Sequence, residues 1–385
     1  MTLIASLSKG GPVIVGDLLV STSEPGVASL TSSPLWNTMD NSWRTNQGMS
    51  VSRLRQKVAV ISPRLCVAYA GSMGQATDFI NFLRGIELAR PPSPHEDIMR
   101  YAGDTSNIDY IAYCKIDGGF RSYTNLHEER VGDYTNVLLG GTGASATRHL
   151  LNNHRLGEFA GISTSYDVNV LSACGFVGTL AGRQARDGHG TAEAWGGGFE
   201  IAVCYDGQFQ KLDNILYLFW QFEQVSENGY RVFIEPTYTF QWLTGEDSNF
   251  ATYLPGEHKI QIHQISPLWE PPRRYITAAA RQPMSRSADY IINCLEFKWL
   301  TGGVRYGGLC QRSAPGDDHA VFKMGGRDIG VKVNKQFICD VVSGALPGNA
   351  CIQECSIFGA ERPWPPSPAG PSTTSGKAIL PACSS

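Results

Sequence analysis

The second residue of the chain could serve as a catalytic nucleophile. Thr2 directly follows the initiator Met. If Met1 is removed, Thr2 carries both a hydroxyl group and a free α-amine. Such an amine has an unperturbed pKa of about 7.7–8.0, so it can act as the base for its own hydroxyl near neutral pH. Threonine behind Met is common, however, so a catalytic role requires the rest of the chain to build a site around it.

Composition narrows the class of function. The 385 residues suffice for one large domain or two ordinary ones. The formal net charge of −3, without a basic block, argues against a nucleic-acid partner. The sequence shows neither a membrane-spanning apolar run nor a secretory signal, so we expect a cytoplasmic protein. Among the ten cysteines only Cys351 and Cys355 stand close together, so we expect free thiols and no metal or other cofactor.

The order of predicted elements indicates two facing sheets. Apolar alternation and turn residues predict strands over 2–8, 12–17, 57–61, 65–70, 108–116, 120–123, 137–139, 199–204 and 208–211. Helical apolar stripes predict helices over about 79–86, 95–102, 144–152 and 168–180. This order suits two sheets that pack face to face and are covered outside by pairs of helices.

Four stretches give residues 2 to about 215 a family resemblance. They are Thr2 to Asp17, Gln56-Lys57-Val58 with the hairpin up to Ala70-Gly71-Ser72 and Asp78, Leu139-Gly140-Gly141-Thr142-Gly143, and Glu193-Ala194-Trp195-Gly196-Gly197-Gly198 before the Asp206-Gly207 turn. In this order and spacing they resemble the proteasome-type branch of the N-terminal nucleophile (Ntn) hydrolases, especially the bacterial proteasome-like peptidases. The resemblance implies an α+β fold, a four-layer αββα sandwich of Ntn-hydrolase type, with a C-terminal extension.

The resemblance also implies a reaction. Thr2 would be the nucleophile of a threonine-type peptidase or amidohydrolase, which transfers an acyl group to the threonine and then to water. Asp17 would lie beside Lys57 and hold its ammonium charged and oriented, which favours deprotonation of the hydroxyl. The Gly71 amide would donate to the oxyanion. Family members form rings, so a homo-oligomeric ring and a peptide or amide substrate are implied.

Supporting and substrate-binding residues are carried over by the same resemblance. The family has a serine where this chain has Gly141, and a shift of one residue would bring in Thr142, with Ser145 also nearby. Glu193 preserves the carboxylate of the fourth stretch, whereas Gly196 lacks the family's hydroxyl. The residues matching substrate-binding positions are Ser21, Arg55 and Tyr69.

Several alternatives stay open. The segment from Glu24 to Gln47, with Trp36 and Trp43, is longer than in the family and is either a lid or assembly contact, or a solvated surface loop. The two missing hydroxyls favour a non-catalytic proteasome-like subunit, and a small-molecule Ntn amidohydrolase is a further possibility.

The resemblance, together with the composition of the remaining residues, implies three regions of the chain. These are an Ntn-hydrolase domain over 1–222, a C-terminal extension of α+β type and unknown role over 223–360, and a disordered Pro/Ser-rich tail over 361–385. Within the extension we expect strands over 230–234, 238–242 and 259–263 and a helix over 290–299.

Overall fold

The structure is a computed structural model that describes residues 2–7, 11–22, 30, 32–35, 49–89, 94–101, 103–132, 134–153, 165–187, 195–254, 259–270, 284–313, 320–325, 328–333, 335–346 and 350–357. Its first part contains β1 (Ile4–Leu7), β2 (Val13–Asp17), β3 (Leu19–Thr22), β4 (Ser50–Leu54), β5 (Val58–Ser62), β6 (Leu65–Gly71), α1 (Met73–Ala89), α2 (Pro94–Met99), β7 (Ile108–Ile116), β8 (Gly119–Thr124), β9 (Glu129–Val131), β10 (Tyr134–Gly140), α3 (Ala144–Asn153), α4 (Ser165–Asp187), β11 (Phe199–Tyr205) and β12 (Gln208–Lys211). Its second part contains β13 (Ile215–Gln224), β14 (Gly229–Thr244), β15 (Asp247–Leu254), β16 (Lys259–Ile265), β17 (Met284–Ser287), β18 (Tyr290–Lys298), β19 (Val304–Arg312), β20 (Ala320–Gly325), β21 (Asp328–Val333), α5 (Lys335–Ala345) and β22 (Cys351–Ile357).

Two sheets of the first part face each other. The first sheet has the order β12-β11-β2-β1-β10-β9, and the second has the order β5-β6-β7-β8. Alternate apolar side chains of both fill the space between them, among them Ile4, Ile14, Cys66, Ala68 and Ile111. On the far side of the second sheet, α1 buries its apolar stripe. The strands and helices predicted before residue 215 are confirmed, with shifted ends.

A third sheet forms most of the second part. Its order is β16-β15-β14-β13-β18-β19, with β22 paired to β14. Helix α4 lies between the first sheet and this third one. Glycines on α4 and β19 let the helix approach the third sheet closely. A Cβ on Gly178 would come within 3.1 Å of the Gly308 Cα in β19, and one on Gly308 would come within 1.8 Å of the Gly175 carbonyl oxygen. The close fit therefore requires glycine on both elements.

The helix predicted over 290–299 is wrong, because this segment is strand β18. It pairs with β13 on one side and β19 on the other. Its side chains alternate between two cores: Ile292 and Cys294 face α4, whereas Ile291 and Leu295 face the opposite core beneath α5. Burial on both faces makes the run mostly apolar, and such a short run does not distinguish a strand from a buried helix.

The predicted four-layer αββα sandwich with a C-terminal extension is also wrong. The described part of the chain is mostly β, 53% strand and 22% helix, and its strands form several separate, mainly antiparallel sheets. Helix α4, which such a sandwich would place on its outside, is buried between two sheets. The predicted boundary at residue 222 falls within β13, and the division into domains stays a prediction.

Some predicted features lie outside the described residues. They are Trp36 and Trp43 of the long segment between β3 and β4, and the tail over 361–385. Among the helices that the structure describes, none is long and apolar enough to cross a membrane.

Candidate active site

Thr2 lies at one end of the first sheet, where three strands bring their ends together. Strand β1 runs between β2 and β10, and Ile4 is opposite both Gly16 and Gly140. Thr2 therefore stands beside the end of β2, which carries Asp17, and the end of β10. The side chain of Thr2 is buried.

A glycine turn after β10 encloses Thr2. The Thr2 backbone N donates to the Thr142 Oγ1 at 3.2 Å, and the Gly143 N–H donates to the Thr2 carbonyl at 3.2 Å. Gly141 has a φ of 85°, and a Cβ there would lie 2.0 Å from the Thr2 carbonyl oxygen. Only glycine fits this position, and the glycine places the next residue, Thr142, against the Thr2 nitrogen. Asp109 on β7 holds the turn by accepting the Gly141 N–H at 2.6 Å.

A buried ion pair joins Asp17 to Lys57. The Asp17 Oδ1 accepts hydrogen bonds from the Lys57 ammonium and from the Leu3 N–H, the latter at 3.0 Å. Its Oδ2 accepts the Gly196 N–H at 2.7 Å. The lysine also donates to the Leu19 carbonyl. Asp17 thus links the ammonium directly to the residue after Thr2.

Burial opposes the charges of this pair. It lowers the pKa of the Lys57 ammonium, and the nearby Asp17 and Glu200 carboxylates offset part of that effect. Burial likewise raises the pKa of Asp17, whereas the ammonium and the two backbone N–H donors act in the opposite direction. A lysine whose pKa is lowered can exchange a proton with a neighbouring hydroxyl more readily than an exposed one.

Gly71 ends β6 directly after Ala70, which lies near the glycine turn around Thr2. A Cβ on Gly141 would lie 3.1 Å from the Ala70 Cβ as well as against Thr2, so these residues meet at one point. The Tyr69 N–H donates to the Lys57 carbonyl at 3.1 Å. Because N–H groups alternate along a strand, the Gly71 N–H points to the same side as that of Tyr69, away from β7. This direction suits an oxyanion donor.

The three predicted substrate-binding residues differ in their surroundings. The Ser21 Oγ is buried and has no hydrogen-bond partner among the described residues. Arg55 is buried, and its Nη1 donates to the Pro267 and Glu270 carbonyls. The Tyr69 hydroxyl donates to the Gln56 carbonyl at 2.9 Å. All three residues lie on the elements that adjoin Lys57, and their contact with a substrate stays a prediction.

The fourth sequence stretch is described only in part. Glu193 lies outside the described residues. The Gly196 N–H binds Asp17, and the side chain of Gln184 from α4 occupies the space beside this glycine. The Gln184 Oε1 accepts the Gly197 N–H at 3.1 Å. Gln184 therefore fills the place that a side chain at position 196 would take.

Sequence reasoning missed two carboxylates that position this site. Asp109 supports the glycine turn, and the buried Glu200 accepts the N–H groups of Lys57 and Val58 at 2.9 and 3.3 Å. Glu200 had a detectable signal, since it is a charged residue within the apolar run of β11. Burial of a charge in a central strand indicates a specific partner.

The described residues at this end of the sheets form no metal-binding cluster, and a cavity lies elsewhere. Within the described ranges, no cluster of three or more His, Cys, Asp or Glu side chains could hold a metal ion. A cavity of about 400 Å³ lies at the opposite end of the two facing sheets, beside Gly11, Lys115 and Gly207.

Comparison with known proteins adds no family: no protein-family model matches the sequence, and no curated protein matches it.

Proposed function

We propose that the protein is a threonine-type peptidase or amidohydrolase in which Thr2, after removal of Met1, is the nucleophile. The main support is the Asp17 carboxylate, which bridges the Lys57 ammonium and the N–H of the residue next to Thr2 in a fully buried position. Burying two charges costs several kcal/mol, so such pairs are concentrated at functional sites. The sequence resemblance supports the same assignment.

Each neighbouring group then has a step to perform. The free amine of Thr2 removes the proton of its own hydroxyl, and the hydroxyl oxygen attacks the substrate carbonyl. The Lys57 ammonium stabilises the developing alkoxide, and the Gly71 N–H stabilises the tetrahedral oxyanion. The C–N bond breaks, the amine leaves with the transferred proton, and water hydrolyses the ester on Thr2. The Thr142 hydroxyl orients the Thr2 nitrogen.

Hydrolysis assays test this proposal. Fluorogenic peptides and acylated small amides compared at equal concentration separate a peptidase from a small-molecule amidohydrolase. Thr2→Ala should abolish turnover of either class, and Thr142→Ala should reduce it about tenfold while Thr142→Ser retains most of it. Unchanged turnover in Thr2→Ala would exclude the mechanism.

The resemblance also supports a homo-oligomeric ring, and the scattered cysteines of the sequence favour a cytoplasmic location. Light scattering after size-exclusion chromatography tests the assembly, and a monomer at working concentration would count against a ring. An intact Met1 in the purified protein would instead favour a non-catalytic proteasome-like subunit.

A further inference from the structure

The backbone that carries Lys57 turns at this residue. A single oxygen, the Glu200 Oε2, accepts the N–H groups of both Lys57 and Val58, at 2.9 and 3.3 Å. Consecutive N–H groups of a regular strand point to opposite sides, so one oxygen can accept both only where the chain departs from the extended form. Glu200, which is 1% exposed, therefore stabilises the local bend from which the Lys57 side chain extends.

The other oxygen of Glu200 connects to the remaining polar side chains of this region. Its Oε1 accepts hydrogen bonds from the Lys211 Nζ at 2.7 Å and from the Ser248 Oγ at 2.9 Å. The same Lys211 Nζ donates to the Gln56 Oε1 at 2.7 Å. Residues 56 and 57 are thus joined to one buried network, one through its side chain and the other through its backbone.

The second part of the chain holds this network in place. The Gln56 Nε2 donates to the Glu246 carbonyl at 2.7 Å and to the Ile265 carbonyl at 2.6 Å. Glu246 lies in the turn between β14 and β15, and Ile265 ends β16. Together with Ser248 on β15, these groups belong to the third sheet, most of which the sequence assigned to an extension of unknown role.

We propose that the third sheet is a working part of the Lys57 site and that Glu200 is the positioning residue through which it acts. The network of Glu200, Lys211, Gln56 and Ser248, here called the Glu200 relay, fixes the bend at Lys57 and so aims the ammonium at Asp17. The catalytic consequence rests on the proposed function, whereas the positioning of Lys57 does not.

The relay also contributes charge. The charges that act on Lys57 are those of Asp17 and Glu200. Lys211 pairs with Glu200, and Arg55 and Tyr69 interact in the same region. The negative charge of Glu200 favours the protonated lysine, opposing the effect of burial. Loss of this charge must therefore lower the pKa of Lys57. If turnover requires the ammonium, the alkaline limb of the pH–rate profile then moves to lower pH.

The test is Glu200→Gln, which preserves shape and removes the charge. We expect the kcat of peptide hydrolysis to fall about tenfold or more with little change in KM, and the alkaline limb to move to lower pH. The pKa of Lys57, followed directly through the ¹³Cε signal of labelled lysine in the full-length protein and assigned with Lys57→Met, should fall as well. A merely structural role for Glu200 would move neither the limb nor this titration, so an unchanged limb and titration overturn the proposal.

Two serine variants test the link to the third sheet and cover a failure of Glu200→Gln to fold. Ser248→Ala removes only the hydroxyl that the third sheet offers to Glu200, and we expect a several-fold loss of kcat. The matched control is Ser6→Ala, an equally buried hydroxyl whose partner is the Tyr113 hydroxyl at 2.8 Å, away from the relay. Equal kcat in the two variants overturns the proposal. If the wild-type protein hydrolyses no substrate, the proposed function fails, and the Lys57 titration in wild type and variants still decides the relay.

Discussion

Breaking the buried pair of Asp17 and Lys57 should cost more stability than removing both charges together. Lys57→Met keeps the length of the side chain but leaves Asp17 as a buried carboxylate with two backbone donors, from Leu3 and Gly196, and no counter-charge. Removal of one partner of a buried ion pair typically costs about 3–5 kcal/mol. The double variant Asp17→Asn with Lys57→Met removes both charges, and the new amide oxygen can accept one of the two N–H groups.

The double variant should therefore lose only about 1–3 kcal/mol, the cost of one unsatisfied buried N–H group. The double variant should therefore be about 2 kcal/mol more stable than Lys57→Met. Urea unfolding followed by tryptophan fluorescence measures this difference, with Lys298→Met as the control. The Lys298 side chain is 43% exposed, and its ammonium lies 3.7 Å from the Glu296 carboxylate, which is too far for a close hydrogen bond. Loss of this loose, exposed pair should cost less than about 1 kcal/mol.

Activity separates the two roles of the pair. Both the single and the double variant should be as inactive as Thr2→Ala, although the double variant is the more stable. A loss below about 1 kcal/mol in Lys57→Met, or a double variant less stable than Lys57→Met, would refute the reasoning about the buried pair.

Three further predictions concern other parts of the molecule. Burial lowers the pKa of His263 from 6.5 to about 4. Between these pH values the unfolded chain binds a proton that the folded protein does not, so the free energy of unfolding should fall by about 3 kcal/mol from pH 6.5 to pH 4. His263→Gln should lose this pH dependence, and a variant whose stability falls with acid as much as that of the wild type would contradict the prediction. Gly141→Ala should lower turnover about 100-fold, because its Cβ would displace the Thr2 carbonyl, whereas Gly118→Ala, also at positive φ but in open space, should only lower stability by about 1 kcal/mol; equal turnover in the two would contradict this. Gly308→Ala should lower the unfolding free energy by about 1–3 kcal/mol, since it pushes β19 from α4, and a wild-type urea midpoint would show that the close contact is not needed.

Local patterns predicted the elements around the site. Strands β1 and β2 are short runs around the Lys9-Gly10-Gly11 turn, and the glycines after β10 indicate a turn that only glycine can make. The structure confirms these strands. Such features depend on a few consecutive residues, so the sequence carries them. The contact of the Thr142 hydroxyl with the Thr2 nitrogen joins residues far apart in the chain, and only the family resemblance suggested Thr142.

The rest depends on contacts between distant segments. The segment from Tyr290 to Lys298 has apolar residues at a helical spacing because two different cores cover its two faces, and nothing local reveals the second core. Glu200 could be noticed as a charge in an apolar strand, but its partners at 57, 211 and 248 follow only from how three sheets meet. The role of the third sheet was therefore beyond prediction.

The central claim is that Thr2 is the nucleophile, and covalent labelling tests it most directly. The full-length protein is treated with a β-lactone, which acylates reactive hydroxyl groups, and intact and peptide masses are then measured. We predict a chain that lacks Met1 and carries one acyl group on Thr2, and no such label in Thr2→Ala or Lys57→Met. Retention of Met1, or a label that persists in Thr2→Ala, would contradict the claim.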